Sequence, residues 1–215
     1  MWITGKQVII FALAVSFLNC SGKKIDENDP ASLMNEVEEN IRNDHYQLAI
    51  DKLRVIKNKF PYSKQSIEAQ LRIADVYFLQ ESFSEAAMSY ETFRDLHPKH
   101  EKVAYAMFRI GKSHYMDIPS HVSRDLTPAS RAFDAYQEYL RRFPQDKNTE
   151  EARKNVSEIR KLLAEKELYI GNFYFKRDEY VAAKNRYQKI LDLYPDTSVA
   201  EEAQKKLNKI GEKQK

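Results

Sequence analysis

Cys20 is the residue of this chain whose type and setting best suit covalent chemistry, because it is the only cysteine and it follows an apolar run at residues 8–18. The run has 11 residues, which is too short to span a bilayer (about 20 are needed) but long enough for the core of a signal peptide. We therefore expect a bacterial lipoprotein signal peptide at residues 1–19, cleaved so that a lipidated Cys20 becomes the mature N-terminus. The alternative is a secretory signal with an incidental cysteine.

The residues around Cys20 also indicate where the chain is anchored. Phe17 stands where leucine is usual in a lipoprotein signal, and Asn19 stands where a small residue is usual, which bears on the efficiency of processing. Ser21, rather than aspartate, after the cysteine indicates the outer membrane. Each buried methylene of an acyl chain contributes about 0.8 kcal/mol, so two or three chains hold a soluble domain at a bilayer. We expect residues 20–30 to be a lipidated, flexible tether on the periplasmic side.

The rest of the chain contains no motif that is typical of catalysis. It has no glycine-rich phosphate loop, no nucleophile elbow and no HExxH sequence. His97 and His100 flank a proline at a predicted helix end, and His114 occupies a packing position, so we expect loop exposure and core packing rather than metal ligation. Apart from the lipid on Cys20 we expect no cofactor and no metal. We interpret the chain as a binding protein and not as an enzyme.

Charge and composition limit the class of protein and the type of fold further. The net charge of +3 comes from 35 basic and 32 acidic residues, which nearly cancel. The chain therefore has no strong positive potential that would attract a polyanion, and we expect no nucleic-acid partner. A single cysteine excludes a disulfide framework. The 5 glycines and 7 prolines are too few for the turns of a β-sandwich or barrel, whereas 42% apolar residues suit a helical core.

Four of the prolines divide the chain into units of similar length. Each follows a ring residue at a predicted helix end, and they lie 37 to 51 residues apart, at Pro61, Pro98, Pro144 and Pro195. Upstream, a small residue is followed three positions later by a ring, at Ala74, Gly111 and Gly171. Because a mid-helix glycine costs about 1 kcal/mol, Gly111 and Gly171 predict close contact between two antiparallel helices. The pattern resembles the tetratricopeptide repeat (TPR).

The hydrophobic periodicity predicts an all-α, TPR-like solenoid of about nine helices. They cover residues 31–43, 46–59, 64–80, 83–96, 100–116, 126–142, 148–176, 179–193 and 197–211. The seventh has an apolar stripe without a breaker, and we expect it to link two repeats as one rod. Capping boxes are predicted at Ser82, Asn148 and Ser198. The last helix is rich in Glu and Lys, and we expect it to cover the end of the solenoid with a polar, solvent-exposed face.

The first helix of each hairpin is expected to line the concave face of the solenoid. Apolar residues recur there at two matching places, three before and four after the small residue, at Leu71, Phe78, Phe108, Tyr115, Leu168 and Phe175. They predict a groove for an extended polypeptide segment with aromatic or aliphatic side chains. The alternative, that the solenoid buries several of them against its own helices, is equally consistent with the pattern.

Three stretches of the chain resemble the YfiO/ComL family of outer-membrane assembly lipoproteins. The first stretch comprises residues 46–53 and 59–63, and the second runs from 96–100 to 124–133. The third comprises residues 164–169, 180–186 and 194–197. The most specific features are an inserted loop before Arg124 and the pair Asn185-Arg186. The resemblance covers nearly all of the mature chain. It implies a non-catalytic subunit of the machinery that inserts β-barrel proteins into the outer membrane.

The resemblance also implies partners and contact residues. The C-terminal repeats would dock on the last periplasmic domain of a BamA-like central barrel subunit, with Arg186 as a salt-bridge contact beside Asn185. Unfolded outer-membrane proteins would be the second partner. They would bind the N-terminal repeats and the pair Phe173 and Tyr174, where the family has two tyrosines; a role of the first hydroxyl is lost here because residue 173 is phenylalanine.

These expectations divide the chain into five segments. They are a signal peptide at 1–19, a tether at 20–30, substrate-binding hairpins at 31–98, a third hairpin at 99–147 with an inserted loop at 116–127, and a docking hairpin with a capping helix at 148–215. One alternative function is a periplasmic TPR scaffold lipoprotein that coordinates cell-wall or envelope processes, although an N-terminal coiled coil and no lipid would be expected for it. The other is a lipid-anchored enzyme, which would need a convergent polar site.

Overall fold

The computed structural model describes residues 26–213, and every regular element in that part of the chain is an α-helix. The helices are α1 (Pro30–Arg42), α2 (Tyr46–Lys59), α3 (Lys64–Leu79), α4 (Phe83–Leu96), α5 (Val103–Met116), α6 (Thr127–Arg142), α7 (Thr149–Lys176), α8 (Tyr180–Leu193) and α9 (Val199–Lys213). Their bounds lie within three residues of the predicted ones, and the all-α class is confirmed. The predicted signal peptide at 1–19 and Cys20 lie outside the described residues.

The helices pack as successive antiparallel hairpins, because each one contacts its neighbours in sequence through short connections. The last helix, α9, packs on both α8 and α7. Within residues 26–213, further contacts join α1 with α3 and α5 with α7, whereas no contact of similar extent joins α2 with α4 or α4 with α6. The contacts that skip a helix are thus made by odd-numbered helices, so these helices lie on the inner side of the solenoid and the even-numbered helices lie on the outer side.

Close contact within two hairpins depends on a glycine. A Cβ atom on Gly111 would lie 2.7 Å from Cδ1 of Tyr136, and a Cβ atom on Gly171 would lie 2.5 Å from Cε1 of Tyr187. Both tyrosines are fully buried. The ring of the second helix thus occupies the space that a side chain on the first helix would need, which confirms the close contact predicted from the sequence. In α3–α4 the corresponding small residue is Ala74, which lies in one buried cluster with Tyr90.

The hydroxyl groups of these buried tyrosines all have polar partners, as buried hydroxyls require. The hydrogen bonds are those from Tyr90 Oη to Asp75 Oδ1 (2.6 Å), from Tyr187 Oη to Asn172 Oδ1 (2.9 Å) and from Asn155 Nδ2 to Tyr136 Oη (2.8 Å). In the first two, the acceptor directly follows the small residue of the repeat. The same tyrosine therefore fixes both the packing distance and a polar side chain next to it.

In three hairpins, the turn between the two helices contains a residue whose backbone lies in the left-handed region of φ/ψ space. Asp44, Glu81 and Asp178 have φ angles of 57°, 61° and 60°. In each turn the next amide donates to a carbonyl of the preceding helix, as Ser82 N does to Tyr77 O at 2.9 Å, which is the Schellman pattern of a helix end. The third hairpin lacks this turn, since residues 117–126 form the inserted loop between α5 and α6.

Two of the predicted capping boxes are wrong. Ser82 and Asn148 precede α4 and α7, but neither side chain accepts a hydrogen bond from the helix. Ser82 Oγ accepts from Gln80 Nε2 at 3.0 Å, and Asn148 Nδ2 donates to Asp146 Oδ1 at 3.1 Å. Both side chains thus form hydrogen bonds within the turns that precede these helices, and they are not available to cap the helices.

The end of the expected tether at 20–30 is folded against the first hairpin. The carboxylate of Asp29 accepts hydrogen bonds from two amides in the first turn of α1 and so caps that helix. Lys59 Nζ, at the end of α2, donates to Glu27 O and to Asn28 Oδ1, both at 2.9 Å. Residues 26–29 are thus a hydrogen-bonded turn beside the α2–α3 connection.

Gly171→Ala is expected to destabilise the fold by about 1–3 kcal/mol, because the new Cβ overlaps the Tyr187 ring. Urea unfolding followed by circular dichroism measures the change. Gly211→Ala on α9 is the matched control: a Cβ there meets no atom within 4 Å, so improved helix propensity should stabilise the fold by up to about 1 kcal/mol. If both variants changed the stability alike, the close-contact explanation of Gly171 would be wrong.

Candidate functional site

Polar contacts join each odd-numbered helix to the next along the inner side of the solenoid. We call the exposed side of α1, α3, α5 and α7 the inner face. From α1 to α7 the contacts are Arg72 with Glu38 (2.6 Å), Tyr105 with Asp75 (2.7 Å), Lys112 with Glu151 (2.7 Å), and Tyr115 with Glu158. Partly exposed ion pairs of this kind contribute about 1 kcal/mol or less each. Their main effect is to set the side-chain arrangement that a ligand would meet.

Asp75 is the most connected polar residue of the inner face. Its Oδ1 accepts hydrogen bonds from the hydroxyls of Tyr90 and Tyr105, at 2.6 and 2.7 Å, and its Oδ2 lies 3.5 Å from Nη1 of Arg72. Burial, together with the Asp75 carboxylate, raises the pKa of Tyr105 to about 12 and raises the pKa of Tyr90 far above its ordinary value. Both hydroxyls are therefore neutral donors at physiological pH.

A cleft of about 450 Å³ opens between α5, the inserted loop and the middle of α7. Its apolar wall is formed by Tyr115, Met116, Ile118, Ile159 and Leu162, and the charged residues Glu158, Lys161 and Glu165 also line it. Lys166 Nζ donates to Arg124 O at 2.8 Å and so ties the loop to α7. The cleft is large enough for one or two apolar side chains of an extended polypeptide.

Two residues of the predicted groove belong to the core instead. Leu71 is 3% exposed and Phe108 is 6% exposed. Each lies three residues before the small residue of its helix and shares its side of the helix, which packs on the partner helix. The Phe108 ring accordingly lies 5.9 Å from that of Tyr136 and 5.7 Å from that of Tyr139. Both positions therefore offer little surface to a ligand, although Leu71 reaches the wall of a depression beside Asp75.

The other residues of the predicted groove are partly buried. Phe78 stacks edge-on against Phe83 at 5.2 Å, and Tyr115 hydrogen-bonds Glu158 beside the cleft. Leu168 and Phe175 pack against the cluster that α7 shares with α8 and α9. Of this set, Phe78 and Tyr115 thus lie on the inner face, while Leu168 and Phe175 mainly support the last hairpin.

The aromatic pair near the end of α7 is divided between surface and core. Phe173 is 51% exposed, whereas Tyr174 packs against the last cluster. Tyr169, one turn before Phe173, is also 51% exposed. The guanidinium of Arg177 lies 5.3 Å from the Phe173 ring centroid. Phe173 and Tyr169 together form an exposed aromatic patch on α7, and the sequence pattern had indicated only the first of them.

The predicted docking residue Arg186 already has an intramolecular partner. Its Nη1 donates to Glu167 Oε2 at 3.0 Å, and Lys189 Nζ donates to Glu167 Oε1 at 2.6 Å. Glu167 is 8% exposed, while 38% of the Arg186 side chain is exposed. Two cations on one carboxylate leave an excess positive charge at this surface. Asn185 beside Arg186 is exposed.

Within residues 26–213, no group of three or more His, Cys, Asp or Glu side chains is arranged to hold a metal ion. His97 stacks on Phe93 at 5.2 Å and its Nε2 lies 3.1 Å from Gln70 Oε1. Burial lowers the pKa of His97 and of His114. In the same part of the chain, no helix is long and apolar enough to cross a membrane.

Sequence reasoning missed Asp75 on the inner face and Glu167 beneath Arg186. It also missed Arg109 of α5, whose guanidinium carbon lies 3.7 Å from the Phe78 ring centroid and whose Nε donates to Tyr90 Oη at 3.0 Å. A signal for Asp75 was available, because it follows the small residue Ala74 just as Asn172 follows Gly171. Arg109 and Glu167 have no such signal. Their roles depend on side chains that other helices supply.

Together, the stacked hairpins define a TPR-like helical-repeat protein. Residues 26–213 match the YfiO family, which is described as an outer membrane lipoprotein family. Because the match covers all the described residues, the chain belongs to the YfiO family.

Several relatives of the chain carry the name outer membrane protein assembly factor BamD. The protein from Vibrio cholerae serotype O1 is 27% identical over 206 residues, which cover 90% of this chain and 86% of that protein. The protein from Rickettsia prowazekii is 30% identical over 188 residues, which cover 86% of this chain and 74% of that protein. Among solved structures, MamA from Desulfovibrio magneticus RS-1 is 15% identical with a TM-score of 0.42, covering 79% of this chain and 77% of that chain.

Tyr105→Phe is expected to make stability less sensitive to alkaline pH. The pKa of Tyr105 is about 12 in the folded chain, against an ordinary value of 10.0. The neutral hydroxyl therefore stabilises the fold fully below pH 10.0, and this contribution is lost as the pH rises towards about 12. The decrease of the urea midpoint between about pH 9 and pH 12 should be smaller in Tyr105→Phe. Tyr62→Phe, at a fully exposed site, should match the wild type. An identical decrease in all three proteins would contradict the assignment.

Proposed function

We propose that this chain is a non-catalytic scaffold of the machinery that assembles β-barrel proteins in the outer membrane. The observation that carries the proposal is membership of the YfiO family over residues 26–213, together with relatives named as outer membrane protein assembly factors. Unfolded outer-membrane proteins bind the inner face, where the cleft beside Tyr115 receives apolar side chains. The polar contacts of the same face orient the segment between such side chains.

The proposed partner of the last hairpin is the periplasmic part of a BamA-like barrel subunit. Arg186 keeps 38% of its side chain exposed while Glu167 holds one edge of its guanidinium. A guanidinium fixed in this way can pair with a carboxylate of the partner through its remaining donors. Lys189 adds positive charge next to it, and Asn185 offers an amide on the exposed side of α8.

The proposed anchor is a lipid on Cys20 that holds the chain at the outer membrane, facing the periplasm. Support comes from the apolar run before Cys20 and from the family description as an outer membrane lipoprotein. The turn at residues 26–29 begins six residues after Cys20, so the helical body lies within about 20 Å of the bilayer surface, given about 3.5 Å per extended residue. The scaffold would thus work close to the membrane where its barrel partner is inserted.

Arg186→Gln is expected to reduce recovery of the barrel subunit at least fivefold, because a buried interface charge loses its partner. The measurement is a mild-detergent pull-down from native membranes through a C-terminal tag, quantified by mass spectrometry. Lys189 still neutralises Glu167 in this variant, so the fold should be retained, and circular dichroism checks this. Lys184→Gln, an exposed change on the same helix, is the matched control.

The outcomes of the pull-down separate the alternatives. Recovery that Arg186→Gln leaves unchanged would keep the assembly function and reject Arg186 as the docking residue. Recovery of cell-wall enzymes in place of a large barrel would favour the envelope-scaffold alternative. If the wild type recovered neither, the proposed function would be rejected.

Cys20→Ser is expected to abolish acylation and to release the chain from the membrane fraction, because no other cysteine can accept the lipid. Metabolic labelling with radioactive palmitate, followed by membrane flotation, measures both effects. Ser21→Ala should retain the label and the membrane association. A Cys20→Ser protein that still carried palmitate would exclude Cys20 as the anchor.

A further inference from the structure

Arg109 is a half-buried cation of the inner face without a carboxylate partner. Its neighbours along the face are paired, Arg72 with Glu38 and Lys112 with Glu151. Within residues 26–213, no carboxylate oxygen lies within 4.0 Å of an Arg109 nitrogen. A guanidinium that is partly withdrawn from water gains most from a counter-ion that can reach it. Arg109 is therefore the cation of this region that is best prepared to receive an acidic ligand.

The surrounding side chains hold the Arg109 guanidinium in a fixed plane. Its central carbon lies 3.7 Å from the ring centroid of Phe78, which is stacking distance, and Phe78 is supported by Phe83 at 5.2 Å. Nε of Arg109 donates to Tyr90 Oη at 3.0 Å. Since Tyr90 donates its own proton to Asp75, its hydroxyl oxygen is free to accept. One edge of the guanidinium is thus used, and the two Nη groups are left for a ligand.

The charges around Arg109 also favour an acidic ligand. The carboxylate of Asp75, which shares the Tyr90 hydroxyl with Arg109, is already bound by two tyrosine hydroxyls and Arg72. It therefore repels an incoming anion weakly. A planar guanidinium with two parallel N–H donors matches the two oxygens of a carboxylate.

We propose that Arg109 is the recognition residue of a carboxylate site on the inner face, with Phe78 as its platform. The proposal deepens the proposed function and rests on it for the nature of the ligand, which is an unfolded polypeptide. The carboxylate comes either from an acidic side chain or from the C-terminus of that polypeptide.

The cleft supplies the second contact of the same ligand. Met116 lines the cleft and lies seven residues after Arg109 on the same side of α5, which is about 10 Å along the helix axis. An extended polypeptide covers that distance in about three residues. The site therefore selects segments in which a carboxylate and a large apolar side chain are about three residues apart.

Three acetylated tetrapeptides test the site. Phe-Ser-Ser-Glu-amide carries a side-chain carboxylate, Phe-Ser-Ser-Gln with a free terminus carries a main-chain carboxylate, and Phe-Ser-Ser-Gln-amide carries none. Titration into the ¹⁵N-labelled protein, followed through the Arg109 Nε–Hε resonance and backbone amides of α5, gives each dissociation constant. We expect at least one carboxylate peptide to bind fivefold or more tightly than the amide. The peptide that does so identifies the source of the carboxylate.

Variants assign the preference to Arg109. Arg109→Gln should remove the difference between the peptides, and Arg109→Lys, which keeps the charge without the paired donors, should retain a smaller difference. Arg141→Gln, at an exposed arginine of α6, should bind like the wild type. Thermal melting confirms that each variant is folded.

Two results would overturn the carboxylate site. One is equal affinity of the three peptides for the wild type, and the other is a preference that persists in folded Arg109→Gln. Neither result depends on membranes or on the barrel subunit. A failed pull-down with intact peptide discrimination would instead reject the assembly function and leave the carboxylate site in place.

Discussion

The packing of a tyrosine ring against a helix position with little or no side chain is the contact on which the solenoid depends. It sets the separation of the helices in α5–α6 and α7–α8, where the small residue is Gly111 or Gly171. The ring fills the core, while its hydroxyl reaches a polar group at the edge of the core. In α3–α4 that group is Asp75, which then organises the inner face. Packing and binding surface are therefore coupled through one side chain per hairpin.

The inner face consists mostly of groups that satisfy one another. Ion pairs and tyrosine–carboxylate bonds link α1 to α3, α3 to α5 and α5 to α7. Such a surface offers a ligand few strong contacts, so a small number of exceptions determines what it binds. The exceptions are the apolar cleft beside Tyr115 and the stacked guanidinium of Arg109. If the proposed polypeptide ligands bind here, these two features would select them by one carboxylate and one apolar side chain.

The fold could be predicted from the sequence because its signals are local. Prolines mark the helix ends, and the spacing of small residues and tyrosines identifies the hairpins. The groove was only partly predictable, since periodicity shows which residues share a side of a helix but not which neighbour covers that side. For Leu71 and Phe108 the pattern fitted an open groove and burial equally well, and both residues lie in the core. Arg109 could not be found, because its platform Phe78 and its acceptor Tyr90 come from other helices.

The length of α7 has a mechanical consequence. Its 28 residues form one uninterrupted helix of about 42 Å. The first half is embedded in the cluster with α5 and α6, and the second half is embedded in the cluster with α8 and α9. Because no break separates the two halves, a rotation of one half of α7 would also rotate the other half. A torque applied to α8 by a docked subunit would be transmitted to the cleft wall at Ile159 and Leu162, so the width of the cleft would follow the angle of docking.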